Sequence, residues 1–167
     1  MGAGRGAVLT ACLGWGKLSG YRPKEGYMAK EGSGVASGGG AEGSEFLRVA
    51  GLRVEEVGGA GVRGWIRLGE RHHTPWGVVH GGVYAAAVES AASLGASAAV
   101  EERGQFAVGV NNNTDFLRPV KKGRVEVVAE PIMQGKGQQL WQVIITRDED
   151  GKEVARGQVR LQNVPLP

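Results

Sequence analysis

A chain of 167 residues suits one domain, and its formal net charge of +3 is spread without a basic run or interleaved aromatics, which argues against a dedicated nucleic-acid partner despite a pI near 9.2. One cysteine, Cys12, excludes an intrachain disulfide and a cysteine-rich metal site, and fits a reducing cytoplasm. No stretch is long and apolar enough to span a membrane, so the expected setting is cytoplasmic with no membrane partner.

Residues 1–43 hold 13 of the 30 glycines and show no sustained periodicity, so they cannot bury enough surface to offset their ordering entropy; a disordered leader is expected there. Residues 7–15 mimic a short signal core, but Gly14, Gly16 and Lys17 end it. Lys24-Glu25-Gly26 can be encoded by a purine-rich ribosome-binding sequence, which raises Met28 as the start of translation. The folded domain is expected over 44–167.

Ser44 is a suitable N-cap for a short helix through Glu45 to Ala50. Leu52 to Val57 and Val62 to Leu68 read as strands around the turn Gly58-Gly59-Ala60-Gly61, the second alternating clearly. Residues 69–82 form a connecting loop. A helix follows over 83–100, because alanine is the best helix former and only Gly95 interrupts it. Four more strands lie near 105–117, 123–134, 138–148 and 153–163, separated by Pro119 to Lys122, Gly135 to Gly137 and Asp148 to Gly151. Turns this short forbid parallel crossovers, so the fold class is α+β, an antiparallel sheet with one long helix on one face.

That helix carries the chemistry. Small apolar residues occupy every face, which predicts burial around most of its circumference, and Glu89 is its one acid. No Lys or Arg lies three or four positions away, and an unpaired buried carboxylate costs several kcal/mol, so Glu89 reads as a general base or nucleophile, the alternative being an inert acid satisfied by a buried backbone or serine donor. Gly81 and Gly82 stand at the helix start, where backbone N–H groups lack intrahelical partners and the absent Cβ admits a ligand oxygen. Such a position, helped by the helix dipole, can polarise a carbonyl. Eight helical residues span about 12 Å, whereas reacting groups must lie about 3 Å from the atoms they act on. Gly81 and Glu89 therefore serve one carbonyl only across a two-fold dimer. Ser93, one turn beyond Glu89, either holds the carboxylate or a water, or bonds back to its own helix. In the run Asn111-Asn112-Asn113, alternation sends Asn112 to one face and its neighbours to the other, with at least one amide expected to be buried and hydrogen-bonded.

Taken together, Pro75-Trp76-Gly77 to His80-Gly81-Gly82, Glu89 seven residues after Gly82, Asn113 through Asp115-Phe116-Leu117-Arg118-Pro119, Gly123 to Glu130, and Val154-Ala155-Arg156-Gly157-Gln158 resemble the hotdog-fold thioesterases of the phenylacetate type. The resemblance covers about residues 45–163. It implies a curved antiparallel sheet wrapped around one long central helix, homodimers that often pair into tetramers, and hydrolysis of acyl-CoA thioesters. It implies that the Gly81 N–H meets the thioester carbonyl and that Glu89 acts from the partner subunit. Glutamate at that position resembles the branch acting on hydroxybenzoyl-CoA and dihydroxynaphthoyl-CoA, and Ser93 matches the serine or threonine one turn later. His80 matches a family histidine expected at the thioester or bracing the loop. One departure stands out: Thr74 occupies the place of a glutamine that assists at the carbonyl or orients water.

Coenzyme A phosphates need cations, and Arg118, Lys121, Lys122 and Lys136 lie at strand ends and turns. No metal or other cofactor is expected, since His72, His73 and His80 lack the spacing of a helical metal pair and no acid or cysteine completes a set. The alternative reading is a non-catalytic acyl-CoA binding or sensing module. Hydratase chemistry on such a scaffold needs an Asp and His pair that this chain does not supply.

Overall fold

The structure is a computed structural model that describes residues 45–167. The expected leader over 1–43, the start at Met28 and the Ser44 cap lie outside the described residues. Helix α1 (Glu45–Ala50) leads into the hairpin of β1 (Leu52–Gly58) and β2 (Gly61–Leu68), closed by Gly59 and Ala60. After a 3-10 turn at Glu70–His72 comes helix α2 (Gly81–Ala98), then a second 3-10 turn at Glu101–Arg103. Strands β3 (Gln105–Phe116), β4 (Gly123–Gln134), β5 (Gln138–Arg147) and β6 (Glu153–Pro165) complete the chain. Among the described residues, no helix is long and apolar enough to cross a membrane.

The six strands form one antiparallel sheet in the order β1-β2-β4-β5-β6-β3, and α2 touches every strand. This is the expected α+β hotdog fold. Residues 117–122 are a crossover rather than a hairpin: β3 leaves its sequence neighbour β4 and pairs with β6, taking an edge of the sheet. Alternation along β2, β4, β5 and β6 turns Ile66, Val125, Val127, Val143, Ile145, Val159 and Leu161 inward, all essentially unexposed.

Helix α2 differs from expectation in three respects. It starts at Gly81, two residues early, because His80 supplies the cap, and it ends at Ala98, two residues short of Val100. Its buried residues, Tyr84, Ala87, Val88, Ala91, Ala92, Gly95 and Ala96, form one stripe at helical spacing rather than most of the circumference. The flank bearing Ala85, Glu89 and Ser93 is half-buried against β3.

Small residues on α2 admit large ones from the sheet. A Cβ at Gly95 would stand 2.5 Å from Trp141 Cη2 and 3.0 Å from Val62 Cγ2. The indole cannot yield, for it is fully buried and its Nε1–H donates to Gln139 Oε1 at 3.0 Å. Gln139 in turn donates to the Ala96 carbonyl and to Asn163 Oδ1, both at 2.8 Å, and Asn163 donates to the carbonyls of Gly135 and Lys136. This satisfied network ties the C-terminal part of α2 to β5, β6 and the turn between β4 and β5. Gly95→Ala should therefore destabilise the protein by about 1–3 kcal/mol through overpacking, although alanine is the better helix former by about 1 kcal/mol. Thermal unfolding checks it: the melting temperature falls.

Candidate active site

The loop entering α2 is held on both sides. His73 and Val79 pair across it, and inside this ring Val78 O accepts from Thr74 N at 2.7 Å and from Thr74 Oγ1 at 3.1 Å. Gly77 turns the chain at φ 74° and donates to Thr74 O at 3.0 Å. Externally, Val79 N donates to Val120 O and His80 N to His72 O, each at 2.8 Å, while His73 Nε2–H donates to Lys121 O at 2.5 Å. The Thr74 hydroxyl proton is thus committed to its own loop. Trp76, 84% exposed, projects from the tip.

His80 then caps the helix: its Nδ1 accepts from Gly82 N–H at 2.8 Å. An accepting Nδ1 places the ring proton on Nε2, leaving that N–H for another partner. With Gly82 capped, the Gly81 N–H is left without an acceptor among the described residues, at the positive end of an 18-residue helix. Its α-carbon is bare for a visible reason. A Cβ there would come within 2.8 Å of Phe116 Cε2 and Cζ. The Phe116 ring, 57% exposed, also leans on Tyr84 at 6.4 Å between centroids. Tyr84 is 3% exposed and its hydroxyl has no hydrogen-bond partner among the described residues. Burial pushes its phenol up to about 12, against the opposing charge of Arg147, so it is neutral at physiological pH.

Glu89 lies two turns along α2, half-buried rather than sealed, facing β3. It is not unpartnered. Asn112 Nδ2 donates to its Oε2 at 3.3 Å, and Ser93 Oγ approaches Oε1 at 3.5 Å, the outer limit for such a bond. All three asparagines of the run are exposed, against the expectation of a buried amide, but the alternation holds: Asn112 sits opposite buried Val159 and its neighbours opposite exposed Arg160 and Gln158. The sequence names Glu89, Gly81, His80 and Ser93 as candidates but not Asn112, the strand partner of Glu89. The asparagine run was the only signal of it.

The cations divide. Arg118 Nη1 donates to the Glu153 carbonyl at 2.6 Å, and Lys121 lies where Val120 and the loop meet, so both stand at the Gly81 end of α2. Lys136 stands in the β4–β5 turn, tied through Asn163 and Gln139 to Ala96, fifteen residues along the helix and about 22 Å away at roughly 1.5 Å per residue. One chain does not bring it to the same mouth. The histidines also part company. His72 is packed under the loop, where burial and then the neighbouring Arg71 charge hold its pKa down, whereas His73 braces the loop and His80 caps the helix. No cluster of three or more metal-ligating His, Cys, Asp or Glu side chains occurs among the described residues.

The sequence profile of the thioesterase superfamily matches residues 77–154. Rv1847 of Mycobacterium tuberculosis, which bears a provisional esterase name, is 49% identical over 116 residues, 68% of this chain and 82% of its own. Its solved structure aligns with a TM-score of 0.71 at 46% identity, over 74% of this chain and 99% of that one. The thioesterase HI1161 of Haemophilus influenzae aligns with a TM-score of 0.69 at 31% identity, over 74% of this chain and 85% of its own. The thioesterase PA1618 of Pseudomonas aeruginosa, solved with a glutamine replaced by alanine, aligns with a TM-score of 0.67 at 28% identity, over 72% of this chain and 86% of its own.

Proposed function

The chain belongs to the thioesterase superfamily, and we propose that it hydrolyses acyl-CoA thioesters with an aromatic or medium-chain acyl group to the free acid and coenzyme A. One observation carries the proposal: a Gly81 N–H free among the described residues opens the same helix whose one acid, Glu89, lies half-buried two turns along it. The N–H polarises the thioester carbonyl and takes up the charge of the tetrahedral oxyanion. Glu89 then removes a proton from attacking water, which adds to the carbonyl carbon and expels the thiolate, or its carboxylate adds first and expels the thiolate itself, and water then hydrolyses the mixed anhydride. His80 offers its Nε2–H beside Gly81, and Ser93 stands against the carboxylate.

Both groups must come within about 3 Å of one carbonyl, which the helical rise of about 12 Å forbids within a chain. The functional unit is accordingly a homodimer, with Gly81 of one subunit facing the second subunit's acid. Strand β3 supports this: it is an edge strand of twelve residues, with Val108, Val110 and Phe116 exposed along it. A long bare edge of this kind invites a second strand, and pairing β3 with its own copy runs α2 beside α2 in antiparallel sense. Two such dimers associate into a tetramer in this reading. Arg118 and Lys121 receive the coenzyme A phosphates.

A non-catalytic acyl-CoA binding module is the second reading, favoured by the Thr74 hydroxyl being spent on Val78 O. A panel of benzoyl-, naphthoyl- and fatty-acyl-CoA esters, followed by free-thiol release, separates the two. Turnover of at least one class is expected. Saturable binding with no thiol release would favour the binding module.

A further inference from the structure

We propose that Asn112 is a positioning residue for Glu89, itself oriented by Thr114, so that strand β3 aims the acid that α2 carries. The inference deepens the thioesterase reading and rests on it for the catalytic consequence, though not for the contact.

It begins with a bulge. Along β3, Gly109 pairs with Leu161 and Asn112 with Val159, while the register slips between Gly109 and Asn111 and leaves Val110 as the extra residue. Residues three apart on a regular strand face opposite ways, and one inserted residue restores the phase. Gly109 and Asn112 therefore both face α2, opposite two fully buried residues of β6. Each does something specific to the carboxylate. A Cβ at position 109 would fall inside the van der Waals envelope of Glu89 Oε1, so the bare α-carbon is what admits the acid. Three residues on, Asn112 Nδ2 donates to Glu89 Oε2 at 3.3 Å and to the Ala85 carbonyl, one turn earlier on the helix, at 3.0 Å.

Two further contacts decide which way the amide points. The Ala85 carbonyl accepts only, so it selects the nitrogen. Thr114 Oγ1 donates to Asn112 Oδ1 at 2.6 Å and holds the oxygen on the far side. Room for Thr114 comes from Gly157 across the pair, where a Cβ would stand 2.8 Å from its hydroxyl. Helix α2 has no Lys, Arg or second acid, and its Tyr84 is neutral. The one other ionisable side chain of β3, exposed Asp115, is paired in register with Arg156. A neutral amide thus fixes the orientation of Glu89 without cancelling the charge that a base or nucleophile needs, as a lysine or arginine there would do.

Asn112→Leu keeps the volume and removes the donor. It should lower kcat about tenfold with KM unchanged and the melting temperature retained, because the acid is present but unaimed. Asn112→Asp turns an acceptor on the carboxylate and should fall further. Thr114→Val should move kcat in the same direction and Thr114→Ser restore it, since only the hydroxyl is needed. A readout free of substrate accompanies these: with nitrogen-15-labelled asparagine, the Asn112 side-chain amide resonance should move in Glu89→Ala. Wild-type kcat in Asn112→Leu, or an amide resonance indifferent to Glu89→Ala, would overturn the proposal. A wild-type protein that turns over no thioester sinks the proposed function instead, and leaves the resonance to decide the contact.

Discussion

Replacing Glu89 by alanine should lower kcat for thioester hydrolysis by about 10³, within the 10² to 10⁴ expected for a positioned acid-base group, without loss of fold. The fold survives because Glu89 contributes little to it. It is half-buried, its two side-chain contacts are long at 3.3 and 3.5 Å, and no ion pair among the described residues includes it. Alanine is also the better helix former. The melting temperature should hold or rise while turnover collapses, the pattern of a group retained for chemistry at the expense of stability. Paired kinetics and thermal unfolding read both quantities. Full activity in Glu89→Ala would remove the carboxylate from the mechanism.

A backbone donor is harder to delete, but Gly81 stands where deletion is possible. It is the first residue of α2, the one helical position that suits proline, and His80 before it sits at φ −67° and ψ 132°, an extended conformation that a following proline favours. Gly81→Pro should remove the N–H and keep the helix, lowering kcat by about 10² to 10³, as loss of one oxyanion donor does. Any side chain at 81 also meets the Phe116 ring, so Gly81→Ala is the control: it makes the same collision and keeps the donor. Alanine should retain much more activity than proline. Equal loss in the two would assign the effect to Phe116 rather than to the N–H.

Those two residues were visible in sequence because their signals are local. An acid on an alanine-rich helix and a glycine pair at its start need no tertiary information, and the alternation of Val62 to Leu68 and the Gly59-Ala60 turn likewise report their own strands. What stayed hidden depends on contacts distant in the chain. The bulge at Val110 cannot be read from Val108 to Asn113 alone, since it exists only in register with Leu161 and Arg160, and without it Asn112 would not face Glu89. The early start of α2 follows from His80 acting as a cap, a role that serine, threonine, aspartate and asparagine more often fill. Thr74 shows the same limit in the other direction. Its place in the motif suggested substrate, whereas its hydroxyl closes the loop on Val78. Placement of β3 beside β6 rather than β4 completes the list, and the edge it creates is the support for a dimer.

That dimer is the central claim, because it alone unites Gly81 with Glu89. Mixing two inactive proteins tests it most directly. Gly81→Pro subunits, which keep Glu89, are refolded or coexpressed with Glu89→Ala subunits, which keep Gly81. In a composite site, each mixed dimer rebuilds one site from the two intact halves and spoils the other. Random pairing makes about half the dimers mixed, so activity should return to about one quarter of wild type from two near-dead parents. A mixture no more active than its parents, in a preparation shown to contain mixed dimers, would contradict a site shared between subunits.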